Sequence, residues 1–287
     1  MLGSTLCRIY HHEHEVHAFH RDDKCLAPCY SDYCLDLMDK RQLQLLLSKI
    51  NPEMIIHCAG LISVDACEKE PELAHVTNVT TTENVAYGCS KDTKVVYISS
   101  DQVYGKANDH SEIFIDLHPV NHYGKTKLLG EQKVQKLCEN HIIIRTNIFG
   151  WNVKPGRISS AEWIHRSIMN GEEIKLYTDY SFSPIYTECL AEIIMQLQVM
   201  DFTGVINVGS PTPCSKYEFG IQVAVAFGLS SFCISKGYMD DYSFSKLRFN
   251  KLDLNVKKLV SLDLVPPDYK YSIRQFAQYW NDQYCKK

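Results

Sequence analysis

Two stretches, Tyr97-Ile98-Ser99-Ser100-Asp101 and Tyr123-Gly124-Lys125-Thr126-Lys127, decide the reading of this chain. The first closes the run Lys94-Val95-Val96-Tyr97-Ile98, whose β-branched and aromatic residues and short length predict a buried strand. The second follows a loop with Pro119 and Asn121 and predicts a helix from Asn121 to about Glu139. On a helix, positions 123 and 127 stand one turn apart on the same face. A phenol ordinarily titrates at about 10, and an ammonium beside it stabilises the phenolate and lowers that value. Lys127 can supply this charge to Tyr123. Ser100, at the mouth of the strand, would hold a substrate carbonyl where the phenol reaches the same oxygen. Hydride transfer to a ketone needs such an arrangement, because the alkoxide must be protonated as it forms. The carboxyl end of a strand is also where open α/β sheets bind ligands.

Segments 97–105 and 122–131 resemble the active-site strand and helix of extended short-chain dehydrogenases/reductases, above all the dTDP-4-dehydrorhamnose reductase group, and the resemblance covers nearly the whole chain. It implies that Ser100, Tyr123 and Lys127 form a catalytic triad. It further implies an α/β fold: a doubly wound, Rossmann-like parallel sheet over residues 1–150, with a smaller C-terminal substrate lobe over residues 151–287 that sends segments back to the main sheet. The implied substrate is a nucleotide sugar, and the implied cofactor is NADPH, with NADH as the alternative.

The start of the chain bears on that fold. Met1-Leu2-Gly3-Ser4-Thr5-Leu6 looks like the tail of a glycine-rich dinucleotide loop entering its helix, with Gly3 as the last glycine. A dinucleotide site uses a strand, closely approaching glycines and a helix N-terminus whose free N–H groups hold the pyrophosphate. The reading therefore expects a sheet lacking its first strand, with the neighbouring strands left unpaired. The helix is expected from Ser4 to about His12, and His11, His12 and His14 beyond it read as solvated surface. Residues 15–20 read as the next strand. At its end His20-Arg21 precedes Asp22; Arg21 suits the extra phosphate of NADP, or is a surface arginine beside two carboxylates.

Further along, Asp36 and Leu37 lie near the adenine by resemblance, and a helix carrying Leu43, Leu46, Leu47 and Ile50 on one face ends at Asn51-Pro52. Residues 54–59 predict a buried parallel strand. Its end, Cys58-Ala59-Gly60, resembles the stretch beneath the cofactor's phosphates and ribose, where Ala59 and Gly60 permit close approach. The resemblance gives Asn78 a supporting role. Gln102 cannot ionise, which disfavours the nucleotide-sugar dehydratases that carry Asp-Glu at this place. Ile142 to Thr146 predicts another buried strand, and 183–187 resembles the return of the chain to the main domain. Arg248-Phe249 departs from the family's Arg-Pro approach to its closing motif, here Asn250 to Leu259. Trp151 and Tyr177 are aromatics that pack or stack.

Composition excludes several functions. In 287 residues, 30 Lys+Arg stand against 34 Asp+Glu, a net charge of -4, so no basic excess serves nucleic acid or an anionic membrane. No apolar stretch approaches the roughly 20 residues that span a bilayer, and the N-terminus lacks the features of a signal peptide. The 12 Cys are scattered and read as cytosolic thiols; Cys25, Cys29 and Cys34 match no zinc spacing, and no metal site is expected. A cytoplasmic NAD(P)H-dependent oxidoreductase is the leading reading. The regulatory subunit of methionine adenosyltransferase shares very similar Ser-Ser-Asp and Tyr-Gly-Lys-Thr-Lys segments, so a non-catalytic binding role stays open beside it. A nucleotide-sugar epimerase is the third reading. Partners implied are a second copy of the chain or an adenosyltransferase catalytic subunit.

Overall fold

A computed structural model describes residues 1–21, 26–106, 110–112, 117–241 and 247–285. In chain order, α1 (Leu2–Tyr10) leads to β1 (His17–His20), β2 (Ser31–Cys34), α2 (Lys40–Ile50) and β3 (Met54–His57). Next come α3 (Val64–Lys69), α4 (Pro71–His75), a π-helical turn over Val76–Thr80, α5 (Thr81–Gly88), β4 (Lys94–Ile98), α6 (His122–Leu137) and β5 (His141–Phe149). The second half holds α7 (Ser160–Met169), β6 (Ile174–Tyr177), β7 (Ser181–Phe182), β8 (Pro184–Tyr186), α8 (Thr187–Val199) and β9 (Gly204–Val208). It closes with β10 (Cys214–Ser215), α9 (Lys216–Ala226), β11 (Ile234–Gly237), β12 (Lys251–Leu252), α10 (Lys257–Val260) and α11 (Tyr269–Trp280).

The main sheet runs β3-β4-β5-β8, all parallel, with β9 also parallel on β5. The long β5 makes this possible: Ile142–Thr146 pair with β9, and Asn147–Phe149 pair with β8. Strands buried on both faces read as continuous apolar runs, as β4 and the first half of β5 do. The expected α/β fold is borne out, and the chain does return to the main sheet at 184–186.

At the other edge, β1 and β2 form a separate parallel ribbon, and among the described residues no strand pairs with the outer edge of β3. Met54, Ile55 and Ile56 are consequently only half-buried, a correction to the fully buried strand that their composition predicts. Helices hold the ribbon in place of hydrogen bonds. On one side Leu43 and Leu47 of α2 and Val85 of α5 gather Phe19 from β1 and Ile55 from β3 into one apolar cluster. On the other, α1 packs Leu2, Leu6 and Tyr10 into the large core.

That core ignores the expected division at residue 150. Tyr10 donates from its hydroxyl to the Ala191 carbonyl at 2.6 Å, Thr5 and Thr187 hydroxyls meet at 3.2 Å, and Arg8 pairs with Glu188. Thus α1 lies against α8. The second half adds two small sheets of its own, β11-β6 and β10-β7-β12. Trp151 is a packing residue: it stacks on Phe276 at 4.1 Å and donates Nε1–H to the Phe276 carbonyl. α1 begins two residues earlier than expected and ends at Tyr10, where His11 Nδ1 lies 2.8 Å from the Arg8 carbonyl and helps to close the helix.

Candidate active site

β4 delivers Ser99 and Ser100 to the carboxyl end of the sheet, where the chain turns through a short 3₁₀ segment, Asp101–Val103. Ser100 caps this turn, accepting from the Gln102 N–H at 3.2 Å and donating to Asp101 Oδ1 at 3.0 Å. Asn121 caps α6, accepting from the Gly124 N–H at 2.8 Å, while its own Nδ2 donates to Gln102 Oε1 at 2.9 Å. The two elements of the site are therefore clamped to one another. Gly124 permits the approach, since a Cβ there would lie 2.5 Å from the Gln102 carbonyl oxygen. Gly130, two turns on, brings α6 onto β4: its Cβ would sit 2.2 Å from the Tyr97 hydroxyl.

This packing brings Ser100 and Tyr123 together. The phenol comes within the electrostatic reach of the Ser100 and Asp101 side chains, and its pKa is raised rather than lowered, by burial first and by the Asp101 carboxyl as well. The Lys127 ammonium lies 4.0 Å above the Tyr97 ring, and the Glu131 carboxylate acts on it. Tyr97 lies beneath α6, and its ring face receives the ammonium by cation–π attraction. Burial pulls Lys127 down to about 7.

The Lys127 ammonium makes no hydrogen bond to a described residue. A buried ammonium with three unused donors fits a ribose, whose hydroxyls can accept them. Other residues around it fit a dinucleotide too. Cys58, at the end of β3, acts electrostatically on both Lys127 and the Met1 amino group, so the start of α1 lies at the same end of the sheet. The α1 N-terminus has no side-chain cap and no acidic residue in its first turn, which leaves its free N–H groups for an anion. Gly3 lies inside that turn, with a Cβ position 4.0 Å from the Cys58 Cβ. A Cβ on Gly60 would come 2.9 Å from Asn78 Oδ1, so the Ala59-Gly60 passage is kept narrow by backbone alone.

Asn78 sits in the π-helical turn and ties three elements: its Oδ1 accepts from the Leu61 N–H at 2.7 Å, and its Nδ2 donates to the Leu61 carbonyl and to Thr126 Oγ1. π-turns inside helices often mark functional sites. Arg21 is exposed at the end of β1, and Asp36 is exposed, with its Oδ1 accepting from the Met38 N–H. Leu37 is half-buried, and its carbonyl accepts from Asn84 Nδ2 at 2.9 Å. These three stand on or beside the β1-β2 ribbon, apart from the main sheet. Asp22 and Cys25 lie outside the described residues; Cys34 is an exposed thiol.

The fold adds residues that the linear reading passed over. Asn147 of β5 donates to Asp101 Oδ2 at 2.5 Å, and burial raises the Asp101 pKa. Tyr180, just before β7, is buried and comes within the electrostatic reach of Asp101 and Gln102. Behind the site, Glu131 and Arg145 form a buried bidentate ion pair with Arg145 Nη2 to Glu131 Oε2 at 2.7 Å, and Ser99 donates to the same carboxylate. Asn121 carried a visible signal as a helix cap; Asn147 as the partner of Asp101 had none, since it comes from a distant part of the chain.

The profile of the RmlD substrate-binding domain matches residues 1–281. The chain belongs to this family. Among its RmlD-type relatives, the probable low-salt glycan biosynthesis reductase Agl14 of Haloferax volcanii is 23% identical over 264 residues, covering 90% of this chain and 88% of that protein. The dTDP-4-dehydrorhamnose reductase of Escherichia coli is 28% identical over 200 residues, covering 67% and 66%. Methionine adenosyltransferase 2 subunit beta of Xenopus laevis is 30% identical over 206 residues, covering 69% and 61%. A dTDP-4-dehydrorhamnose reductase from Bacillus anthracis, solved in complex with NADP, shares the fold with a TM-score of 0.81 at 24% identity, covering 93% of this chain and all of that one. An oxidoreductase of the RmlD type, related to sugar-nucleotide reductases, is thus the reading borne out. Among the described residues no helix is long and apolar enough to cross a membrane.

Proposed function

We propose that this chain is a cytoplasmic, NADPH-dependent reductase of the 4-keto group of a nucleotide-linked deoxysugar, with residues 151–287 supplying most of the sugar-nucleotide side of the cleft. The observation that carries the reading is the clamping of the Ser100 turn to the start of α6 through Asn121 and Gln102, which gathers Ser100 and Tyr123 at the carboxyl end of β4, with burial favouring the protonated phenol. Reduction of a ketone needs a proton donor at the developing alkoxide, and a phenol with a raised pKa is the donor form at neutral pH. Ser100 would donate to the carbonyl oxygen and hold it against the phenol. Asp101, kept buried by Asn147, disfavours the phenolate and keeps the proton on Tyr123 until the alkoxide forms.

The dinucleotide, when bound, supplies the hydride. Lys127 would hold its ribose, the free N–H groups of α1 its phosphates, Ala59 and Gly60 would pass beneath it, and Gly3, Arg21, Asp36 and Leu37 would face its adenosine half. Arg21 favours the extra phosphate of NADPH over NADH. Incubation with NADPH and a dTDP-4-keto-6-deoxysugar should oxidise the dinucleotide in proportion to the sugar supplied. Absence of turnover from a folded, dinucleotide-binding protein would remove the reductase reading.

Lys127 gives a pH test. Its folded pKa of about 7 lies below the ordinary lysine value, so the ammonium is lost as pH rises through that point. Affinity for NADPH, followed by the quenching of tryptophan fluorescence, is expected to weaken as pH rises from about 6 to about 8.5, and to lose this slope in Lys127→Met. A flat wild-type profile would separate Lys127 from the ribose.

A second reading has one observation in its favour: the frog adenosyltransferase subunit beta is as similar as the Escherichia coli reductase is. Under it, the same cleft binds a dinucleotide without turnover and the chain partners an adenosyltransferase catalytic subunit. Size-exclusion chromatography with and without that subunit distinguishes this complex from a homodimer of the chain.

A further inference from the structure

Lys216 reaches the site from a remote part of the chain. It is the first residue of α9, directly after its cap Ser215, which accepts from the Glu218 N–H at 3.1 Å while the Ser215 N–H donates to the Glu218 carboxylate at 2.7 Å. This capping box fixes the first turn of α9. The Lys216 ammonium is thereby held 3.5 Å above the Phe182 ring and 5.5 Å from that of Tyr180. Phe182 stands two residues before Pro184, which pairs with Asn147, and Asn147 donates to the Asp101 carboxyl, which in turn acts electrostatically on Lys216. A cation from the second half of the fold thus overlooks the Ser100-Asp101-Gln102 segment.

No partner neutralises it. Asp101 is engaged by Asn147 and Ser100, and Lys216 makes no ion pair or hydrogen bond to a described residue. Aromatic faces attract an ammonium but accept none of its three hydrogen bonds in the way an oxygen does. Arg248, on the same side, is turned toward Asp65 at 2.9 Å. Among the described residues on this side, Lys216 therefore offers its ammonium to a ligand. A neutral sugar would cover it without satisfying it, whereas a phosphate oxygen would supply both the charge and the acceptors.

We propose that Lys216 binds the diphosphate of the sugar nucleotide, at the phosphate next to the sugar, and so sets the register that brings the keto carbon to Ser100 and Tyr123. The inference rests on the sugar-nucleotide reading above. The diphosphate is joined to the sugar ring that must meet Ser100, so its receptor has to stand near the same end of the sheet. Lys216 rests on Phe182, two residues before Pro184, which pairs with Asn147, the residue that donates to Asp101.

Thymidine diphosphate, uridine diphosphate and thymidine, each titrated calorimetrically into wild type, Lys216→Met and Lys216→Arg in the presence of NADPH, test this. Loss of one charge-assisted contact should weaken the diphosphates by roughly ten- to a hundredfold in Lys216→Met, with thymidine and NADPH unaffected and Lys216→Arg recovering part of the loss. NADPH affinity also reports that each variant is folded. Equal diphosphate affinity in wild type and Lys216→Met overturns the assignment of Lys216 and leaves the reductase reading standing. A wild type that binds NADPH and neither diphosphate overturns the sugar-nucleotide reading itself, and Lys216 with it.

Discussion

Tyr123→Phe is expected to lower kcat for keto-sugar-dependent oxidation of NADPH by roughly 10²–10⁴-fold, the range that a positioned general acid contributes. The substitution removes one hydroxyl and keeps the ring. Loss of one hydroxyl should cost folding only about 1 kcal/mol, and NADPH affinity should hold. The loss falls on kcat and kcat/KM together, because the phenol delivers its proton only as the alkoxide develops. Steady-state kinetics and a thermal melt of the same preparation check it. Activity within a few-fold of wild type, from a variant with unchanged melting, would mean that another group or a water donates the proton.

Arg145→Met carries the largest expected effect on stability. Glu131 and Arg145 are 1% and 4% exposed and lie on α6 and β5, so their bidentate contact joins the helix that carries Tyr123 and Lys127 to the centre of the sheet. Removing the guanidinium leaves a carboxylate in the core with only the Ser99 hydroxyl beside it. Breaking a buried pair in this way costs about 3–5 kcal/mol, which for a chain of this size lowers the melting temperature by on the order of 10 °C. The double variant Glu131→Leu with Arg145→Met should recover much of the loss, since two apolar side chains leave no stranded charge. Chemical denaturation of the two single variants and the double variant measures the coupling, and additive effects would show that the pair contributes little. The single variant should also disturb Lys127, whose ammonium Glu131 favours.

Much of the site was legible in the sequence because it depends on local rules. The run that ends at Ser100 could be read as a buried strand, and spacing alone put Tyr123 and Lys127 on one face of a capped helix. Asn121 as the cap, Gly60 as a close approach and Gln102 as a non-ionising residue were likewise visible from residue type. The direction in which Lys127 points was not. An i,i+4 relation fixes where two side chains leave a helix, while the ring of Tyr97, across a packed interface, decided which neighbour the ammonium chose.

The sequence by itself therefore determined the α/β class, the strand that delivers Ser100, the helix that carries the phenol and the absence of a basic surface, since composition, periodicity and capping act over a few residues. Only the tertiary structure decided that Gln102 clamps Asn121, that Glu131 meets Arg145 and that Lys216 rests on Phe182 beside the Asp101 segment. Each of these joins residues far apart along the chain. Such neighbours are chosen by how whole faces pack once the sheet has formed, and no short window of sequence contains both partners.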